Sequence, residues 1–151
     1  MRSAAVGVSL AVLAVLATLL SGASPAAAAK WYCGSSCVGQ NPQTYPSSNP
    51  CGTDAVTVST YAGYGRTLQL RYSNNCEMVW ARLYGASNQD KVVFERYDGI
   101  GGYTAVAEWE YFTGNDEWSR MVQDHSVEIR ACLQLAWATT PGSRLGCTGR
   151  Y

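Results

Sequence analysis

The chain has 151 residues, with eleven Lys and Arg against eleven Asp and Glu, six cysteines and one histidine. Balanced charge with no basic stripe argues against nucleic acid or an anionic membrane as the principal partner. A single histidine means that any histidine-dependent triad or metal site has only His125 to use.

The first segment reads as an export signal. Arg2 supplies a positive charge, Ala4 to Leu20 is apolar, and Ser21 to Ala29 is a small-residue tract interrupted by Pro25. A membrane anchor would need about 20 apolar residues with charged flanks. Residues 1–29 are therefore expected to be removed, leaving one domain, 30–151, with a net charge of −1 once Arg2 is gone. No later apolar stretch is that long, so the expected location is extracellular, with no membrane attachment after cleavage.

Residues 30–55 lack sustained periodicity and hold Cys33, Cys37, Cys51, Pro42, Pro46 and Pro50, which predicts an irregular segment held by disulfides. From Ala55 the pattern becomes period two. Leu68, Leu70 and Tyr72 alternate with Gln69 and Arg71, Ser73 to Cys76 gives a turn, and Met78 to Tyr84 returns, together predicting a hairpin. Further strands are expected at Lys91–Tyr97, Tyr103–Phe112, Trp118–Gln123 and Val127–Trp137. Tyr103, Ala105, Ala107, Trp109 and Tyr111 are expected on one face. The fold class is all-β: a small antiparallel sandwich or barrel of six or seven strands.

Six cysteines, Cys33, Cys37, Cys51, Cys76, Cys132 and Cys147, suit three disulfides in an oxidising compartment, each worth about 2–4 kcal/mol. Cys33 and Cys37 are too close to bridge each other in extended chain. Cys132–Cys147 with Cys37–Cys51 and Cys33–Cys76 is therefore the expected set, out of fifteen possible pairings. A zinc site is disfavoured by the absence of a Cys-x2-Cys pair and by the compartment.

Several blocks together resemble one family. They are Cys33-x3-Cys37-x-Gly39-x2-Pro42, Cys51-x2-Asp54-Ala55, Leu68-Gln69-Leu70-Arg71-Tyr72-Ser73, Cys76, and Trp80-Ala81-Arg82. Met121-Val122-x-Asp124, Arg130-Ala131-Cys132, Cys147-Thr148 and Tyr151 complete the set. The chain is similar to the small secreted bacterial family of domain of unknown function 2690, or YjfA-like proteins, from about Cys33 to Tyr151. The resemblance implies secretion and a disulfide-bonded domain and carries no established activity. Asn41 stands where relatives often have an acidic residue, which weakens any proposal that this loop binds a cation.

Enzymatic readings lack support in the residues. Asp124-His125-Ser126 reads as a turn between strands, and no nucleophile with a recognisable setting lies nearby. Glu108 and Glu110 share a strand face about 7 Å apart, but a pair of glutamates facing water opposite Arg71, Arg82 or Arg130 explains them better than a glycosidase dyad. No catalytic residue, cofactor or metal is expected. Ten tyrosines and five tryptophans (Trp31, Trp80, Trp109, Trp118, Trp137) against two phenylalanines suggest rings at the boundary between core and water. Trp109 reads as core, and Tyr61, Tyr64, Tyr103 and Trp118 as exposed candidate ligand contacts.

The preferred reading is a secreted, monomeric, non-catalytic binding module for a secreted protein or cell-wall glycan. One alternative is a protease inhibitor presenting Asn41 to Pro50 as a rigid loop. The other is a small secreted hydrolase or toxin.

Overall fold

A computed structural model describes residues 33–87, 90–97, 99–100, 102–112, 114–124, 127–135 and 144–151, with only the backbone at 107–112 and 135. Residues 1–29, expected to be an export signal, lie outside the described residues, as do Trp31, His125, Trp137 and the side chains of Glu108, Trp109 and Glu110. Among the described residues, nine strands form two antiparallel sheets. They are β1 (Val56–Gly63), β2 (Arg66–Ser73), β3 (Met78–Tyr84), β4 (Asp90–Tyr97), β5 (Tyr103–Phe112), β6 (Asp116–Trp118), β7 (Val122–Gln123), β8 (Ile129–Leu135) and β9 (Arg144–Cys147). Sheet A runs β1-β2-β3-β6, with β7 also on β3, and sheet B runs β5-β4-β8-β9. The chain is thus all-β, as its alternation predicts. No helix among the described residues is long and apolar enough to cross a membrane.

The core lies between the sheets, where period two delivers one face of each strand. Leu68 and Leu70 of β2 and Val79, Ala81 and Leu83 of β3 meet Val92 and Phe94 of β4 and Ile129, Ala131 and Leu133 of β8. Each large side chain so buried contributes about 1.5–3 kcal/mol. Strand β3 is covered on both faces at its start. Met78 and Trp80 point away from the core and pack with Cys33, Cys37, Cys51, Cys76 and Met121 in a second cluster beneath the irregular segment.

That segment departs from the expected pairing. The bridges are Cys33–Cys37, Cys51–Cys76 and Cys132–Cys147, so only the last was anticipated. The objection to Cys33–Cys37 assumed extended chain, whereas Gly34–Cys37 is a single 3-10 turn entered through Gly34 at φ 52°, with the two Cα atoms 5.6 Å apart. Asp54 anchors the other bridge. It accepts hydrogen bonds from the Ser73 hydroxyl (2.6 Å) and the Asn75 N–H (3.0 Å), and Ser73 Oγ accepts from Cys76 N–H (3.1 Å).

Three local departures from simple alternation have visible causes. The predicted strand Trp118–Gln123 is two strands, because Met121 instead exchanges backbone hydrogen bonds with Gly39 and Gln40. Along β5 the register skips Val106. Tyr103 and Ala105 stand opposite Tyr97 and Glu95, but Ala107 and Trp109 stand opposite the core residues Phe94 and Val92. The alternation expected to put residues 103–111 on one face is therefore broken by a bulge. On β9 the register skips Leu145, whose carbonyl accepts the Tyr61 hydroxyl at 2.8 Å.

Tyr61 consequently clamps the open edges of both sheets together. Its ring occupies the space where a Cβ on Gly146 would lie. Gly146→Ala should cost about 1–3 kcal/mol in urea unfolding, and Tyr61→Phe about 1 kcal/mol through the lost hydrogen bond. Combined with Tyr61→Leu, Gly146→Ala should lose much of its penalty, a non-additivity that a double-mutant cycle reads directly.

Candidate functional site

Because side chains alternate along β3, the residues that follow Met78 and Trp80 on the outward face are Arg82 and Tyr84. The irregular segment covers the first pair and leaves the second pair open. Cross-strand register sets Thr60, Gln69, Arg82 and Trp118 in one row across β1, β2, β3 and β6. The next row holds Ala62, Thr67, Tyr84 and Asp116.

Arg82 organises this open half. Its Nε donates to Asp116 Oδ1 (2.9 Å) and its Nη2 to Asp116 Oδ2 (2.7 Å), the two-pronged geometry that makes arginine–carboxylate pairs directional. The same guanidinium lies over the Tyr84 ring (4.6 Å to its centroid) and the Trp118 ring (5.0 Å). The hydrogen bond from Arg82 holds the Asp116 carboxyl below its usual range, and reciprocally raises Arg82. Trp118 stays 37% exposed.

Arg71 stands beside this array with different partners. It donates to Thr57 Oγ1 (2.6 Å) and to the Ala55 carbonyl (2.8 Å), both uncharged oxygens, while Thr57 Oγ1 donates to Gln69 Oε1 (3.3 Å). Burial and the neighbouring Arg82 charge lower its pKa. The open half of sheet A therefore combines two rings with fixed positions and a border of Thr, Gln and Arg hydrogen-bonding groups.

The four aromatic candidates fall in three places. Trp118 belongs to the open face just described. Tyr64 is 70% exposed in the two-residue β1–β2 turn, with φ 55° followed by Gly65 at φ 72°. That turn abuts Gly85, where a Cβ would lie 2.6 Å from the Gly65 carbonyl, and Gly85 N–H donates to Asn115 O (2.9 Å). Tyr64 and Trp118 thus share one end of sheet A. Tyr61, expected to be exposed, is half-buried against the core because its hydroxyl reaches β9. Tyr103 is half-buried on sheet B, 5.5 Å from the Tyr97 ring, with the Arg130 guanidinium 3.3 Å above its own.

A group that alternation did not single out lies beside Tyr103. Glu95 is fully buried, yet its carboxylate pairs with Arg130 (2.7 Å) and with Arg144. Its acidic character within the apolar strand Lys91–Tyr97 was the available signal, but its partners come from β8 and β9 and nothing in the local pattern names them. The arginines expected to face Glu108 and Glu110 are otherwise engaged: Arg82 with Asp116, and Arg130 with Glu95.

The family model described as "Protein of unknown function (DUF2690)" matches residues 35–132, well over half of the chain. No curated protein and no solved structure matches it.

Two outcomes test these assignments. Glu95→Gln leaves two arginines facing an uncharged group and should cost about 3–5 kcal/mol in chemical unfolding. Asp116 has a lowered folded-state pKa, so the Arg82–Asp116 pair persists from neutral pH through the ordinary carboxylate range and is lost only as pH falls through the depressed value. Side-chain NMR signals of Trp118 should hold steady as pH falls through the ordinary carboxylate range and shift only below it.

Proposed function

The chain belongs to the DUF2690 family, a membership that assigns no activity, and from its surfaces we propose that it is an extracellular, non-catalytic binding module for cell-wall glycan. The observation that carries this reading is the open half of sheet A, where Arg82 and Asp116 hold Trp118 and Tyr84 in position. Flat rings bordered by Thr60, Gln69 and Arg71 offer stacking surface together with donors and acceptors, the combination that a sugar ring with apolar faces and hydroxyl edges requires. Pre-set ring orientation also lowers the ordering cost of binding.

Export of the mature chain and its action outside the cell form part of this proposal; disulfides are compatible with that location. The non-catalytic reading is supported by the state of the buried carboxylates. Asp90 is held by Arg66 at 2.5 Å, and Glu95 by two arginines, so both carboxylates are engaged in ion pairs inside the fold and not offered to a substrate. The inhibitor reading needs a rigid, exposed loop. Residues 41–50 are braced by Tyr45 N–H bonded to Asn41 O (2.9 Å), Cys51 N–H bonded to Tyr45 O (3.1 Å) and Tyr45 packed on the cysteine cluster, and they expose Gln43, Thr44, Ser47, Ser48 and Asn49, which supports that alternative as a second reading.

A secreted-protein partner is favoured by one separate observation: Ile100, 95% exposed, sits in the β4–β5 turn between Tyr97 and Tyr103. The two readings separate by mutation. Trp118→Ala should weaken retention on purified wall glycan at least tenfold, equal to about 1.4 kcal/mol, and Tyr84→Ala similarly. Ile100→Asp should leave retention unchanged. Tyr64→Asn removes the ring at a left-handed position that asparagine tolerates better, so any loss of binding there would report the ring and not the fold. Unchanged glycan retention by Trp118→Ala would overturn the glycan reading, and loss of a captured protein with Ile100→Asp would favour the other.

A further inference from the structure

Arg66 pairs with Asp90, Arg82 with Asp116, Arg130 and Arg144 with Glu95, and Arg150 with Glu128. Arg71 does not follow this pattern. Its Nη1 donates to Thr57 Oγ1 (2.6 Å) and its Nη2 to the Ala55 carbonyl (2.8 Å), and among the described residues no carboxylate pairs with it. Partial burial, and after it the like charge of Arg82, lowers the Arg71 pKa, yet a guanidinium keeps its proton at neutral pH. Asp116 neutralises Arg82, so the charge of Arg71 is left over on the open half of sheet A.

Hydrogen bonding on this face is unbalanced in the same sense. Thr57 Oγ1 accepts from Arg71 and donates to Gln69 Oε1 (3.3 Å), while both Asp116 oxygens accept from Arg82. These acceptors already receive a donor from the same face. Among the described residues the surplus is in donors: the remaining N–H groups of the Arg71 guanidinium and the amide NH2 of Gln69. A sugar hydroxyl both donates and accepts, whereas a carboxylate or phosphate oxygen only accepts. Surplus charge and surplus donors therefore ask for the same group.

Building on the glycan reading of this face, we propose that its ligand is an anionic glycan, with Arg71 taking the ligand's carboxylate or phosphate while Trp118 and Tyr84 stack on its sugars. Register sets Arg71 opposite Trp80 and Arg82 opposite Trp118. The backbone positions of Arg71 and Trp118 thus stand about 10 Å apart across the strands and about 7 Å along them. Cation and ring address different positions on one chain and do not compete for one sugar. Thr57 and the Ala55 carbonyl hold Arg71 in place beforehand, which lowers the ordering cost of the contact. The balanced charge of the whole chain agrees with a single local contact, since no broad positive field is needed to make it.

The test measures retention on purified wall glycan in three forms: native, with its carboxyl groups reduced to alcohols, and with its phosphate removed. Wild-type protein should lose about tenfold in retention on at least one neutralised form, the low end of what a hydrogen bond to a charged group contributes. Which form it fails to hold identifies the anion. Arg71→Gln should bind the native form about tenfold more weakly and no longer distinguish it from the neutralised one. Arg71→Lys keeps the charge and should restore part of that distinction, which a purely structural role for Arg71 would not produce. Raising salt from about 0.05 M to about 0.5 M should weaken wild-type retention severalfold and Arg71→Gln far less, because screening acts on the ionic contact. Trp118→Ala should lose retention on all three forms alike.

Equal wild-type retention on the three forms, with Trp118→Ala still weak, would overturn the anionic ligand and leave the glycan reading standing. Retention of none of them would overturn both. An Arg71→Gln protein that keeps the full preference for the charged form would overturn the role assigned to Arg71.

Discussion

The Cys51–Cys76 bridge is the constraint on which the rest of the arrangement depends. It fastens the irregular segment to the turn between the two central strands of sheet A, at a point that Asp54 and Ser73 brace through the backbone of Asn75 and Cys76. Proline- and glycine-rich polar chain has too little apolar surface to order itself, so that bond, helped by the backbone hydrogen bonds of Gly39 and Gln40 to Met121, holds it over Met78 and Trp80. With it, the outward face of β3 is divided into a covered, apolar half and an open, polar-aromatic half.

The motifs through which this chain resembles its family acquire physical meaning here. Cys51-x2-Asp54 and Ser73 through Cys76 are the two sides of one bridge and its hydrogen-bonded brace. Leu68, Leu70 and Ala81 belong to the core between the sheets, and Trp80 to the cluster beneath the cysteines. Thr148 and Tyr151 extend the pairing of sheet B, bonding to Ala131 and Ile129 of β8, and Tyr151 also packs its ring on Tyr72 at 4.9 Å. Most of these motif residues therefore maintain the fold. Arg82 is different: it faces outward, and its interactions position surface rings instead of burying apolar area.

Both sheets use arginine in this manner. Arg82 lies over Tyr84 and Trp118, Arg130 over Tyr103, and Arg150 over Tyr97 while pairing with Glu128 at 2.6 Å. The guanidinium is planar and weakly hydrated enough to stack while its edge donors satisfy a carboxylate, which an ammonium cannot do. Only two of the eleven cations are lysine. The preference for arginine thus has a structural use here, fixing aromatic rings on exposed sheet surfaces that would otherwise sample several rotamers.

Period-two alternation by itself determined the all-β class, the β2–β3 hairpin and the core faces of β2 and β8, because a strand's two faces are written directly into its apolar order. It could not reveal the bulges at Val106 and Leu145, since one unpaired residue reverses the facing of everything beyond it without changing composition. Disulfide partners were likewise decided in three dimensions: a single turn at Gly34–Cys37 made possible a bridge that extended geometry forbids. The site was legible only in part. Trp118 and Tyr64 are exposed aromatics recognisable from their turn-rich surroundings, whereas Tyr61 became a clamp because a glycine on a distant strand made room for its ring. Local chemistry is carried by the order of residues, but which surfaces remain open depends on which distant segments come to lie on them.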